Sequence, residues 1–166
     1  MDKADYTKAK NTATSLLSNF SITEPVVPVA EIAQREGLGI KYFKTDNNED
    51  LKRVSGFLDE KTKTIYVNSE DPLSRQSFTI AHELGHFKLQ HKPEEFGVLY
   101  RYATPIDKNS LEQEANCFAA NLLVPENMLV EVMNRYKLTE NNGSLLADIF
   151  GVSPDVIKYR LLWITK

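Results

Sequence analysis

Histidine is scarce in this chain: there are three among 166 residues, and two of them fall within one pentapeptide. Cysteine is scarcer. Cys117 stands alone, which excludes an internal disulfide framework, and its place about 140° round a helix from Glu112 predicts burial rather than metal ligation. No apolar run approaches the roughly 18 residues of a membrane span. The opening MDKADYTKAK lacks the apolar core of a secretory leader. A cytoplasmic location is therefore expected. Charge of one sign is lacking too: 20 Lys and Arg face 23 Asp and Glu, for a net charge of -3. That balance argues against a strong non-specific grip on nucleic acid or anionic membrane. No internal repeat is visible. The length, with 42% hydrophobic residues, suffices for one domain with a real core, or one domain plus a small appendage, and excludes a second large domain.

What is present is His82-Glu83-Leu84-Gly85-His86, the pattern His-Glu-x-x-His. A helix turns about 100° per residue, so histidines four apart share one face, about one turn up from each other, and can chelate a single ion. A glutamate beside the first histidine can take a proton from a metal-bound water without being a ligand, the arrangement of zinc-dependent peptidases. The flanking residues predict the helix this requires. Asp71 reads as its N-cap and Pro72 as its first position, with no further proline before Gln90. On its wheel Leu73, Ile80, Leu84 and Phe87 form one stripe, and Arg75, Phe78, His82, His86 and Leu89 lie opposite, so burial on both faces is expected. Gly85 lowers helix propensity by about 1 kcal/mol, which close approach of another backbone or of a substrate would explain. His91 reads as a helix-end or packing histidine rather than a third ligand.

A catalytic zinc needs three protein ligands and an open position. The third donor is sought in SLEQEANCFAANLLV (110 to 124), where Ser110 and Gln113 read as a capping box and Pro125 ends the helix. Glu112 and Glu114 compete. With Glu112 at 0°, Ala115, Asn116, Ala119 and Leu123 fall within about 60°, and Glu114 lies near 200°. Glu112 thus projects from a small-residue stripe that admits a second helix, and is favoured. Asn116, one turn on, can hydrogen-bond a ligand histidine from outside the metal's own shell and fix its tautomer.

Elsewhere Tyr6 to Asn19 and Val29 to Glu36 read as helices, the second stopped by Gly37. Leu38 to Phe43 reads as a strand, and Val54 to Leu58 with Thr64 to Val67 as a hairpin across Asp59 to Lys63. Lys44 to Lys52 is a polar turn or loop. The order predicts an α+β, zincin-like layout: a small β-sheet, the His-Glu-x-x-His helix, a second ligand helix and a helical C-terminal end. Thr64 to Asn68 is the candidate edge strand to receive an extended substrate. The segment from 92 to 109 is expected to be irregular, and no role is assigned to Tyr100, Arg101 or Tyr102 within it. LLADIFGVSPDVIKYRLLWI has the pattern of a helix-turn-helix, but Lys158 and Arg160 are the only basic residues of its second helix and Asp155 occupies its first turn. Direct DNA binding is not expected. The boundaries follow as residues 1-136 for the catalytic domain and 137-166 for a C-terminal extension packed on it.

FTIAHELGHFKLQH (78 to 91) and LEQEANCFAANLLVP (111 to 125) together resemble the ImmA/IrrE family of bacterial and phage zinc metallopeptidases. The resemblance extends to PVVPVAEIAQREGLGIKYF (25 to 43), GFLDEKTKTIYVNS (56 to 69) and LLADIFGVSPDVIKYRL (145 to 161). It implies Zn2+ bound by His82, His86 and Glu112, Glu83 as general base, and a specific protein substrate, a helix-turn-helix repressor of a mobile element or stress response. Val124 stands where the family often has methionine, a packing difference. The rival expectation is a DNA-binding regulator or antitoxin-like module with a structural or inactive metal site.

Overall fold

The computed structural model describes residues 3–46, 48–92 and 109–164. Helix α1 (Tyr6–Asn19) starts where the Asp5 side chain accepts the Lys8 N–H at 2.8 Å, and buries Ala9, Ala13, Leu16 and Leu17, one stripe at helical spacing. Helix α2 (Val29–Arg35) follows Pro28, and the chain turns out of it through Gly37 at φ +92°, a backbone conformation that favours glycine.

Three strands follow: β1 (Gly39–Phe43), β2 (Gly56–Asp59) and β3 (Thr64–Asn68). The hairpin turn is built by Asp59, whose carboxylate accepts the Lys61 N–H at 3.0 Å and the Thr62 hydroxyl at 2.8 Å. The sheet order is β1-β3-β2, with β1 parallel and β2 antiparallel to β3. The expectation that Thr64 to Asn68 is an edge strand is therefore overturned. β3 is the central strand, paired on both sides, and its Ile65 and Val67 are fully buried. The free edges belong to β1 and β2.

Helix α3 (Leu73–Leu89) packs across β2 and β3. Its N-cap is Pro72 rather than Asp71, whose backbone carbonyl accepts a hydrogen bond from Gln76 Nε2 at 2.7 Å. Leu73, placed on the buried stripe by the wheel, is 78% exposed, as the first residue of the helix. From Thr79 to His86 every residue is buried, so both faces of the central helix are indeed covered.

Helix α4 (Ser110–Leu123) lies against both α1 and α3. Its cap is Asn109, whose side chain accepts the Leu111 N–H at 2.9 Å, in place of the expected Ser110 box. Helices α5 (Glu126–Tyr136), α6 (Gly143–Phe150) and α7 (Pro154–Ile164) complete the described chain. Leu146, Phe150, Ile157 and Leu161 from the last two join one apolar cluster with Phe118 and Leu122 of α4. Together these elements make an α+β fold with a small mixed sheet. Among the described residues no helix is long and apolar enough to cross a membrane. Tyr100, Arg101 and Tyr102 lie outside the described residues.

Candidate metal centre

The site is the seam where α3 crosses α4. Gly85 makes the crossing close: a Cβ there would stand 2.8 Å from the Phe118 ring and 3.4 Å from Ala115 Cα. Real side-chain carbons do not approach that closely, so the propensity lost at Gly85 is the condition for this contact. Ala115 and Ala119 present no bulk on the facing side and are fully buried. The close backbones let a short glutamate side chain span the gap.

His82, His86 and Glu112 meet across it. One ligand atom from each lies within 4.8 Å of the others, and all three residues are buried. His82 Nε2 is 3.0 Å from His86 Nε2 and 3.2 Å from Glu112 Oε2, and His86 Nε2 is 3.0 Å from Glu112 Oε1. Glu83 rises from the same turn of α3 and is itself 5% exposed.

The outer ring nitrogens decide what this cluster can hold. His82 Nδ1 lies 3.0 Å from Asn116 Oδ1, an acceptor, so it carries a hydrogen. His86 Nδ1 faces His91 Nδ1 at 2.9 Å, and His91 Nε2 faces Glu114 Oε2 at 3.0 Å. Burial pushes His91 below the ordinary histidine range although the Glu114 carboxylate pulls it up. A metal on His86 Nε2 would leave the His86 hydrogen on Nδ1, to be accepted by His91 Nδ1, while His91 Nε2 donates to the carboxylate. Both motif histidines then turn an Nε2 lone pair inward. Without a metal, burial pushes the Glu112 carboxyl up, but hydrogen bonding and charge interaction with His82 and His86 outweigh it and hold it well below the usual carboxylate range.

Three lone-pair-bearing atoms about 3 Å apart repel one another unless a proton or a cation lies among them. Glu112 Oε1 shows the mismatch directly. It sits at ion-pair distance from His86 Nε2 yet is buried without hydrogen-bond geometry to any partner. Ligand atoms about 2.0–2.1 Å from a tetrahedral zinc would stand about 3.3 Å apart, close to the three separations found here. The residues fit a four-coordinate metal with two imidazole nitrogens and one carboxylate.

Glu114, the rival donor, is not in the cluster. It is buried on the other side of α4, where its Oε1 accepts the Asp5 N–H at 2.8 Å. Cys117 is buried without joining the cluster, with Sγ 3.5 Å from Asn121 Nδ2. The contact that residue-level reasoning missed is His91. Helix α3 ends in a Schellman closure, with Gln90 left-handed at φ 60° and the His91 N–H returning to the His86 carbonyl at 3.0 Å. That reversal brings the His91 ring back to His86. A wheel that continues the helix sends it to the opposite side.

Known proteins share this arrangement of elements. A model of the peptidase M78 family, described as the IrrE N-terminal-like domain, matches residues 35–162. Metallopeptidase ImmA of Bacillus subtilis (strain 168) is 34% identical to the chain, over 68% of this chain and 65% of that protein. Immunity region protein 2 of Bacillus phage phi105 is 30% identical, over 70% of this chain and 80% of that one. A solved Mycobacterium tuberculosis transcriptional regulator superposes with a TM-score of 0.65 at 18% identity, a likeness of fold alone. That match takes in 93% of this chain and 46% of the other, so the chain spans about two thirds of the ImmA relative and under half of the mycobacterial protein. With the family model running from α2 to α7 through the seam just described, the chain belongs to the ImmA/IrrE family.

Proposed function

We propose that this chain is a zinc-dependent metalloendopeptidase that cuts a specific protein. The observation that carries the reading is the buried convergence of two imidazole nitrogens and one carboxylate, with a second buried glutamate, Glu83, next to His82 in the motif. His82, His86 and Glu112 hold the zinc. When bound, that ion supplies Lewis acidity, drawing down the pKa of a water and polarising the scissile carbonyl. Glu83 takes the proton from the attacking water and returns it to the leaving amine. Asn116 holds His82 with its Nε2 lone pair inward.

The substrate strand is best received at β2. This outer strand packs on α3, and a Cβ at Gly56 would meet Thr79 Cγ2 at 2.5 Å, one turn before His82. That outer edge can take an extended peptide by strand addition. A helix-turn-helix repressor fits as substrate because a relative carries the name of a phage immunity-region protein and a fold neighbour that of a transcriptional regulator.

Residues 1-136 form the catalytic unit in this reading and 137-166 an extension packed on it. Direct DNA binding by the extension is disfavoured by Arg160. It is 2% exposed, its Nε donates to the Val124 carbonyl at 2.8 Å, and it therefore caps the C-terminal end of α4 rather than facing solvent. Of the two basic residues expected there, Lys158 alone is exposed, and so is Asp155. A single lysine offers few phosphate contacts. The protein acts in the cytoplasm, where its substrate resides.

The deciding experiment is Glu83→Gln with a co-encoded repressor as substrate. The amide keeps the shape of the side chain but cannot accept the water's proton, so zinc content, fold and repressor binding persist while cleavage falls by about two to four orders of magnitude. Wild-type cleavage by the variant removes Glu83 from the mechanism. A wild-type protein that binds the repressor with zinc present and never cuts it returns the chain to the class of binding modules.

A further inference from the structure

Glu114 is nearly as buried as Glu112, 8% exposed against 6%, yet it touches neither motif histidine. A buried carboxylate must recover from the protein the hydrogen bonds it loses from water. Two donors do this from elements far apart in sequence. The Asp5 backbone N–H, at the start of α1, reaches Oε1 at 2.8 Å, and His91 Nε2 reaches Oε2 at 3.0 Å. His91 Nδ1 then has a lone pair to offer, and the group facing it at 2.9 Å is His86 Nδ1. A metal on His86 Nε2 leaves the ring's hydrogen on Nδ1 and so gives each link one direction: His86 donates to His91, and His91 donates to the carboxylate. The two histidines are thus held unequally, His82 by one neutral amide and His86 by an imidazole backed by a carboxylate.

We infer that Asp5, Glu114 and His91 form a hydrogen-bond relay that sets the tautomer and ring orientation of His86 for metal binding, so that the metal centre depends on helix α1, which lies outside the family-matched residues 35–162. The relay members are positioning residues and touch no reacting atom. A histidine whose outer nitrogen donates toward a carboxylate binds metal with a more basic inner nitrogen, and loss of such outer partners typically costs 10–100-fold in metal affinity. Lys8 strengthens the tie between α1 and the end of α3, its Nζ donating to the Leu89 carbonyl at 3.2 Å. The inference rests on the reading of His86 as a zinc ligand, and its test separates the two.

The full chain, labelled with 15N in histidine, is studied zinc-free at about pH 8, above the ordinary histidine range, by long-range proton–nitrogen spectra that tell Nδ1–H from Nε2–H. Zinc affinity is measured beside it by chelator competition. The wild type should show His86 as the Nδ1–H tautomer. His91→Phe, which keeps a planar ring without an acceptor, should admit the Nε2–H form and weaken zinc binding by about 10–100-fold. His91→Gln, which restores a carbonyl acceptor, should recover part of that loss. Glu114→Gln should weaken binding by about tenfold. Asp5→Pro, which deletes the N–H, should weaken it more than Asp5→Ala, which keeps it. If His86 stays Nδ1–H and zinc affinity is unchanged in His91→Phe and Glu114→Gln, the relay is overturned. Equal affinities for the two Asp5 variants overturn the part assigned to α1. Should His91→Phe fail to fold, Glu114→Gln decides by the same two readouts. A wild type that holds His86 as Nδ1–H and binds no zinc supports the relay and overturns the metallopeptidase reading instead.

Discussion

Helix α4 has two polar flanks, each with a buried glutamate, and they behave differently. The flank toward α3 carries Glu112 and Asn116, and the flank toward α1 and α7 carries Glu114, Cys117 and Asn121. On the second flank the polar groups satisfy one another inside the protein: Glu114 takes hydrogens from Asp5 and His91, and Asn121 Nδ2 donates to the Cys117 carbonyl at 2.8 Å. On the first, Glu112 Oε1 and two histidine nitrogens face a common point, and the carboxylate oxygen has no hydrogen-bond partner. An orphaned polar atom alone would not identify a site, since Thr79 Oγ1, Asp71 Oδ2 and Arg160 Nη2 are also buried without partners among the described residues. Convergence is the discriminator. Buried polar groups that close their valences on each other hold a fold together, and donor atoms that converge on one spot fit a cation.

The sharpest break in that comparison is a pair of alanine variants. Glu112→Ala removes a ligand and should lower zinc affinity by more than the roughly 100-fold that loss of an outer partner costs, whereas Glu114→Ala should stay within about 10–100-fold. Chelator competition on both proteins, with circular dichroism to confirm the fold, measures the ranking. The reverse order would move the ligand to the α1 flank.

Next in size is the seam itself. Gly85→Ala gains about 1 kcal/mol of helix propensity but drives a methyl carbon to within 2.8 Å of a fully buried phenylalanine ring. Overpacking of this kind costs about 1–3 kcal/mol, so the net effect should be destabilising by up to about 2 kcal/mol, read from urea midpoints of the zinc-free protein. Phe118→Leu in the same chain should recover part of it. An unchanged or raised midpoint for Gly85→Ala alone would show that the two helices are not held at this spacing by the glycine.

How much of this was readable beforehand follows from what each feature depends on. The motif helix and the choice of Glu112 over Glu114 rest on helical periodicity, a local property, and the chain folds with Glu112 on the α3 side. The central place of β3 was not readable, because Ile65 and Val67 alternate with Tyr66 as they would in an edge strand, and strand order is set by where β1 docks. The helix starts were misplaced by one residue at Asp71 and Ser110, since Pro72 and Asn109 compete for the same cap positions. His91 lies at the helix end and outside the ligand cluster as expected, but its contact with His86 was not readable: a non-glycine residue, Gln90, takes the left-handed turn, and no residue type announces that. The basic residues of the C-terminal helix pair were legible as too few for DNA, but not that one of them, Arg160, is folded inward.

A smaller effect tests that inward arginine. Arg160→Met removes a buried charge, which is favourable, and leaves the Val124 carbonyl without its donor at a cost of about 1–3 kcal/mol. The two oppose, and a net destabilisation of about 1 kcal/mol is expected in urea titrations. Zinc affinity should not change, because Arg160 serves the far end of α4. A loss of zinc binding to match that of Glu114→Ala would show that the two flanks are not separable.

The smallest effect is at alkaline pH, and it belongs to the α1 and α7 flank alone. Burial pushes the Cys117 thiol up from its ordinary 9.0, against a lowering hydrogen bond from Tyr159. Burial likewise raises the Tyr159 phenol, with the Cys117 charge adding to the shift. For an acid whose folded pKa is raised, the folded chain holds its proton after the unfolded chain has released it. The stability contributed is fully present below the unfolded value and is lost as pH rises through the folded one. Zinc-free protein should therefore lose stability above about pH 9, with a slope of no more than about 1.4 kcal/mol per pH unit for each group. Glu112 acts at the other end, since its lowered carboxyl contributes stability that is present above its ordinary value of 4.5 and fades as the solution is acidified. Cys117→Ala should flatten the alkaline limb, measured as urea midpoints between about pH 7 and 10, and leave the acid limb unchanged. A Cys117→Ala protein with the full alkaline loss would mean that the thiol is not buried against Tyr159, and the second flank would no longer be the closed counterpart of the first.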